Sequence, residues 1–183
     1  MKTVRNILRP IFCLIIVAII AFAGYNIILR YTHPQKYADF ITKYANQNGI
    51  EPSLVSAVIK CESGFDKEAV SSAGARGLMQ LTEETFYDVR KMLGDGEEYT
   101  YELCWNDAEI NIEYGTRYLA FLLEVFDGDK TAALAAYNAG MGNVKQWIGD
   151  DGRLQTSEIR FEETRNYVER VLNAQENYMD FYS

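Results

Sequence analysis

From Tyr37 to Leu172 the apolar residues recur at three- and four-residue spacings, and glycines cut that pattern into short lengths. A chain patterned in this way must bury helix faces against one another, because a half-buried sheet needs strict alternation. Tyr37, Phe40, Ile41 and Tyr44 form the first stripe, ended by Gly49. Pro52 suits a first helical position, with Leu54, Val55, Val58 and Ile59 turned inward. Residues 64–76, rich in Ser, Ala and Gly, read as a loop. A further helix is expected to start near Gly77, run through Phe86, Val89 and Met92, and stop at Gly94. The stretch 94–106 reads as polar and turn-like. Asp107 can cap a long helix whose stripe is Ile110, Tyr114, Tyr118, Phe121, Leu122 and Val125. Asp127-Gly128-Asp129 breaks it, and Ala132–Ala139 forms a short Ala-rich helix ending at Gly140. Asn143 is expected to cap another through Trp147 and Ile148, followed by a loop over 149–153. From Glu162 a final helix uses Tyr167, Val168, Val171 and Leu172. The expected class is all-α, with room for a short hairpin in 94–106 or 149–160.

The N-terminus obeys a different rule. Ile11 to Leu29 is apolar apart from Gly24, Tyr25 and Asn26. These nineteen residues would span roughly 28 Å as a helix, close to the hydrocarbon thickness of a bilayer. Lys2, Arg5 and Arg9 precede the run and only Arg30 follows closely, which places the N-terminus in the cytoplasm. The expected organisation is therefore a cytoplasmic tip and transmembrane anchor in residues 1–30, with 11–29 in the membrane. Residues 31–183 then form one domain on the extracytoplasmic side of the cell membrane. Ala21-Phe22-Ala23 has the small-x-small form of a signal cleavage site. The apolar Ile27-Ile28-Leu29 beyond it favours a retained single-pass anchor over a cleaved signal.

Beyond Arg30 the chain holds fourteen bases against twenty-six acids, a net charge of −12. Nucleic acid binding rests on Lys and Arg neutralising phosphates, so nucleic acid is excluded as a partner. A neutral polymer such as a glycan suits the domain better, although acidity also serves plain solubility. Three cysteines and the single His33 do not make a zinc site, so no metal or other cofactor is expected. Cys13 reads as a small apolar residue of the membrane segment. Cys61 and Cys104 lie in the exported part, where either a disulfide or two free thiols is possible.

One carboxyl group has an unusual sequence setting. Glu62 ends the apolar helix Leu54–Cys61 and is followed at once by Ser63-Gly64. A carboxyl at the end of an apolar helix is partly desolvated, which raises its pKa toward what a general acid needs near neutrality. Polar, glycine-punctuated sites follow: Gly77-Leu78-Met79-Gln80, then Ala136-Tyr137-Asn138-Ala139-Gly140, then Glu163-Thr164-Arg165-Asn166-Tyr167-Val168.

These four parts, in this order, resemble the lysozyme-like catalytic domain of the soluble-type lytic transglycosylases, glycoside hydrolase family 23. The likeness covers about Lys36 to Tyr178. It departs at Ile159-Arg160-Phe161, where Ile-Pro-Phe is common, and at Thr82, where a methionine that packs on a sugar is common. The resemblance implies that Glu62 protonates the oxygen of the β-1,4 bond leaving N-acetylmuramic acid. It also implies that the muramyl acetamido group assists departure, and that the C6 hydroxyl then closes a 1,6-anhydro ring. By the same resemblance Tyr137 and Asn138 are active-site residues, with the tyrosine hydroxyl bonding to Glu62 or to the acetamido group. Gln80 offers an amide to the sugar, and Ser71 is a loop contact. Glu163 is either a second active-site carboxylate, a cap of the final helix, or a partner of Arg165. Asn111, Gly115 and Tyr118 match a helical pattern read as packing. The implied partner is the peptidoglycan glycan strand, cut close to the membrane; no protein partner is named by the sequence. Two rivals remain: a hydrolytic muramidase of the goose-type lysozyme kind, and a non-catalytic glycan-binding scaffold.

Overall fold

The structure is a computed structural model that describes residue 12 and residues 14–25, 36–94, 99–149 and 152–182. The chain divides into two units, residues 1–35 and 36–183. In the first, residues 14–25 are helical and their large apolar side chains stand exposed, Leu14 at 69% and Phe22 at 70%. Ile11, Cys13, residues 26–29 and the flanking bases of the expected anchor lie outside the described residues. No helix among the described residues is long and apolar enough to cross a membrane.

The second unit consists of helices joined by turns. They are α1 (Ala38–Gln47), α2 (Pro52–Ser63), α3 (Glu83–Leu93), α4 (Tyr101–Asn106), α5 (Ala108–Val125), α6 (Lys130–Ala139), α7 (Met141–Val144) and α8 (Glu162–Tyr182). A single 3-10 turn, Thr156–Glu158, precedes α8. No strand forms among the described residues; the only extended pairings are the isolated bridges Val70 to Arg76 and Arg76 to Leu81.

Apolar residues gather into two clusters. The larger takes Ile41 and Tyr44 from α1, Leu54, Val55, Val58 and Ile59 from α2, and Ala132–Ala136 from α6, with Val168 and Val171 of α8. The pair α2 and α8 makes the most extensive helix contact. The smaller cluster joins Leu81, Phe86, Val89, Cys104 and Tyr114, with the rings of Phe86 and Tyr114 stacked at 4.7 Å. Helix α5 serves both. Ile112, Leu119 and Leu122 face the large cluster and Tyr114 the small one, so its buried face is wider than a single stripe. The turn Gly77–Gln80 runs between the clusters: Leu78 and Met79 enter the large one, and Leu81 the small one.

Three local expectations change, and of the two states left open for Cys61 and Cys104 one is found. The helix after the loop begins at Glu83, not near Gly77, because Gly77 at φ +80° and Gln80 at φ +49° are left-handed and no α-helix passes through such residues. Thr82, whose hydroxyl accepts from Thr85 N at 3.2 Å, caps it. The stretch 99–106 contains α4 rather than only turns, started by Thr100, which accepts from Leu103 N at 3.2 Å. Asn143 caps nothing: it lies inside the one-turn α7 and donates to Ala139 O at 2.8 Å. Cys61 and Cys104 are free thiols, Cys104 fully buried in the small cluster.

Two aspartates start helices, Asp107 as its position predicts and Asp129 at the end of the Asp127-Gly128-Asp129 break. Asp107 accepts from Glu109 N at 2.8 Å and Ile110 N at 3.2 Å. Asp129 accepts from Ala132 N at 3.0 Å with one oxygen and from Leu154 N at 2.9 Å with the other. It thereby ties the distant 152–155 segment to the start of α6. Asp129→Ala is expected to lower stability by about 1–2 kcal/mol, read as a lower urea midpoint at unchanged slope.

Candidate active site

Glu62 lies in the last turn of α2, where the apolar face that drives this helix inward gives way to Ser63 and the left-handed Gly64 at φ +61°. The residue is half-buried. Burial is the largest influence on its carboxyl and pushes the pKa up to about 7. The Tyr167 hydroxyl and the Arg170 guanidinium, both on α8, act in the opposite sense and favour the ionised form. No second carboxylate is among the groups that act on it.

The phenols of Tyr137 and Tyr167 flank this carboxyl; burial first, and then the carboxyl's proximity, push both well above the usual tyrosine range. Their hydroxyls are not equivalent. Tyr137 donates to Met79 O at 2.7 Å, so its proton is held by the Gly77–Gln80 turn rather than by Glu62. Tyr167, only 2% exposed, has a buried hydroxyl with no hydrogen-bond partner in the structure. Its interaction with Glu62 is therefore electrostatic, short of an ordinary hydrogen bond. Tyr167→Phe is expected to raise the Glu62 pKa further above 7, because a dipole favouring the anion is lost. A carboxyl-carbon NMR titration reads the shift, and a downward shift counts against this arrangement.

The Gly77–Gln80 turn is clamped from every side. Ser63, next to Glu62, donates to Leu78 O at 2.8 Å. Asn111 of α5 accepts from Met79 N at 2.8 Å and donates to Arg76 O at 3.3 Å. Gly115, one helical turn on, leaves space for Met79, whose sulfur would lie 2.4 Å from a Cβ at that position. The ring of Tyr118 packs on that of Tyr137 with centroids 5.4 Å apart. The three α5 residues read as packing thus fix the turn beside Glu62.

Other expected site residues are placed less directly. Both amide hydrogens of Gln80 are taken, by Ala69 O at 3.0 Å and Gly77 O at 2.9 Å, which leaves its Oε1 as an acceptor. The Ser71 hydroxyl accepts from Ala75 N at 3.0 Å and shapes the same loop. Asn138 is exposed beside Tyr137, and its Oδ1 accepts from Thr164 at 2.7 Å. Glu163 is exposed in the first turn of α8, where the helix dipole favours a negative charge. It forms no ion pair with Arg165, which donates instead to Ile159 O at 3.2 Å. The structure thus brings Glu62, Tyr137 and Tyr167 together and leaves Glu163 apart from that group. Tyr167 and Arg170 are the residues that sequence reading missed. The signal for Tyr167 was a phenol in an otherwise apolar stripe with Val168 and Val171, where a hydroxyl needs a purpose.

A carboxyl neutral up to about pH 7 can give a proton to a leaving oxygen and take one back afterwards. Among the described residues no group of three or more His, Cys, Asp or Glu side chains is arranged to hold a metal.

Comparison with known proteins agrees with this architecture. The family model described as "Transglycosylase SLT domain" matches residues 39–160. The soluble lytic murein transglycosylase of Salmonella typhimurium (strain LT2) is 35% identical over 153 residues, which cover 81% of this chain and 24% of that protein. Membrane-bound lytic murein transglycosylase C of Serratia proteamaculans (strain 568) is 32% identical over 167 residues, covering 78% of this chain and 46% of the relative. The chain thus spans about a quarter of the soluble relative's length and under half of the membrane-bound one's. Among solved structures, the 70 kDa soluble lytic transglycosylase of Escherichia coli superposes with a TM-score of 0.78 at 33% identity, covering 85% of this chain and 26% of that one. An inactive mutant of the lytic transglycosylase Slt from Pseudomonas aeruginosa gives 0.76 at 30% identity, covering 84% and 26%. The helices have the lytic transglycosylase fold, with the clamped turn and the half-buried carboxyl set within it, and the chain belongs to the SLT transglycosylase domain family.

Proposed function

We propose that this chain is an exported lytic transglycosylase that cleaves the MurNAc-β-1,4-GlcNAc bond of peptidoglycan without consuming water. The observation that carries the reading is the single carboxyl of Glu62, held protonated to about pH 7 beside a rigid turn and two phenols. Glu62 donates its proton to the glycosidic oxygen as the C1–O bond breaks, and the muramyl acetamido group assists at C1. The Glu62 carboxylate then takes the proton of the C6 hydroxyl as that oxygen bonds to C1. The products are a free 4-hydroxyl and a 1,6-anhydro-MurNAc end. An internal nucleophile has a high effective concentration, so no second carboxylate is required to position a water. Tyr167 keeps Glu62 within reach of both protonation states. Tyr137 fixes the turn that carries Gln80, whose Oε1 accepts from a sugar hydroxyl or amide, and Ser71 and Asn138 supply further contacts. Glu163 is proposed as an outer substrate contact, since it lies one residue from the Thr164 that holds Asn138.

The glutamate-to-glutamine exchange in the inactive Pseudomonas neighbour supports a catalytic glutamate. Residues 11–29 are proposed to anchor the domain in the cell membrane; the exposed apolar side chains of the helix over 14–25 and the membrane-bound relatives support this. Digestion of purified peptidoglycan by the full chain in detergent, read by mass spectrometry, tests the reaction. Glycan ends lighter by one water are expected. Reducing ends of full mass would mean hydrolysis, and binding without release would mean a scaffold.

A further inference from the structure

A second cleft lies on the side of the small cluster, outside the group around Glu62. It encloses about 450 Å³ and is lined by Arg76, by Glu83 and Tyr87 of α3, and by Tyr101, Glu102 and Trp105 of α4. Arg76 shares a segment with the active-site turn. Its backbone pairs in both directions with Leu81, at 3.0 and 3.1 Å, and so closes the loop that carries Gln80. Tyr101 fastens that loop from the cleft side by donating to Gly74 O and Leu81 O, each at 3.0 Å. The cleft and the candidate active site thus share one clamped loop.

The chemistry of the cleft is specific. The Arg76 guanidinium lies over the Trp105 ring, with its Cζ 4.7 Å from the centroid. The indole face holds the cation through its charge, which leaves the N–H fork free to take a carboxylate in two parallel bonds. Among the described residues Arg76 forms no ion pair, although Glu83 and Glu102 line the same cleft. A half-buried cation with open donors, two exposed carboxylates a short way off and three aromatic rings match a ligand with both charges and an aliphatic body. Neutral sugar rings need only the aromatic faces. A peptide with a free carboxylate and an amine uses all three.

We propose that this cleft is a subsite for the peptide stem borne by the glycan. The stem's carboxylate sits on Arg76, its aliphatic body on Trp105, Tyr101 and Tyr87, and its amine toward Glu83 and Glu102. The proposal rests on the reading that the chain acts on peptidoglycan. It makes the enzyme sensitive to the peptide through the loop that holds Gln80.

The test compares the full chain with Arg76→Gln and Arg76→Lys on two substrates, peptide-bearing strands and strands stripped of peptide by an amidase. Binding of a free stem tetrapeptide is measured alongside by calorimetry. Arg76→Gln is expected to lower kcat/KM on peptide-bearing strands about tenfold and to leave stripped strands within about twofold. Arg76→Lys keeps the charge but not the fork, and is expected to fall between. Wild type is expected to bind the tetrapeptide, and Arg76→Gln about tenfold more weakly. An equal loss on both substrates means that Arg76 only braces the loop, and overturns the proposal. So does an unchanged ratio of the two rates, or absence of tetrapeptide binding by wild type at millimolar concentration. If wild type cleaves neither substrate, the catalytic reading fails, while the calorimetry still decides the subsite.

Discussion

Glu62→Gln is expected to lower glycan cleavage by about 10²–10⁴-fold and, above neutral pH, to make the protein more stable than wild type. Both effects come from one cause. The folded Glu62 titrates near 7 against an ordinary 4.5, because burial opposes its charge. Between those values the native state keeps a proton that the unfolded chain has released, so stability falls as pH rises. The contribution is fully present below pH 4.5 and is lost as pH passes through 7. Each pKa unit is worth about 1.4 kcal/mol, so the raised value costs wild type about 3 kcal/mol at pH 8. Glutamine has nearly the same shape and carries no charge at any pH. The variant should therefore match wild type near pH 4 and gain up to about 3 kcal/mol on it at pH 8. Urea unfolding of both proteins across this range measures the difference. A difference that stays flat with pH means that Glu62 is not held protonated, and the proposed acid is lost with it. The wild-type kcat/KM should likewise fall as pH rises through about 7, since only the protonated form starts the reaction.

A stability cost at a reactive group is a common mark of function, and here it arises from legible features. The apolar run before Glu62, Pro52 at its start and Gly64 after it are local signals, and they place the carboxyl at a dry helix end without any tertiary information. Asp107 as a helix start is legible for the same reason. What the sequence hid depends on distant pairs or on strained backbone. Gln80 adopts φ +49° with no glycine to announce it, so the periodic pattern seemed to continue back to Gly77. Helix α4 is too short for a stripe and rests on the Thr100 cap. The Tyr137 hydroxyl is bound by a backbone carbonyl fifty-eight positions away, and no residue type marks a carbonyl as a partner. Tyr167 reads as core from its place in the stripe, which holds for its ring, while its hydroxyl acts on Glu62.

Gly77→Ala is expected to be the most disruptive small substitution in the domain, at about 3–5 kcal/mol. Two costs combine. Gly77 sits at φ +80°, where a Cβ is strained. That Cβ would also lie 2.4 Å from Asn111 Nδ2 and 2.8 Å from its Cγ. Asn111 is 1% exposed and cannot swing into solvent. Moving it breaks its bonds to Met79 N and Arg76 O and strands a buried N–H. Gly94 separates the two costs, because it has φ +67° but nothing within 4 Å of a Cβ. Gly94→Ala should cost only about 1 kcal/mol. The excess of Gly77→Ala over Gly94→Ala in urea unfolding then measures the clamp. In the double variant Gly77→Ala with Asn111→Ala, the second change should cost less than it does alone, since it also removes the clash. Cleavage should fall about 10²-fold in Gly77→Ala even where the protein stays folded, because the same turn carries Gln80 and holds Tyr137 beside Glu62. If Gly77→Ala is no worse than Gly94→Ala, the turn is free to adjust, and the rigidity on which the proposed proton transfer depends is absent.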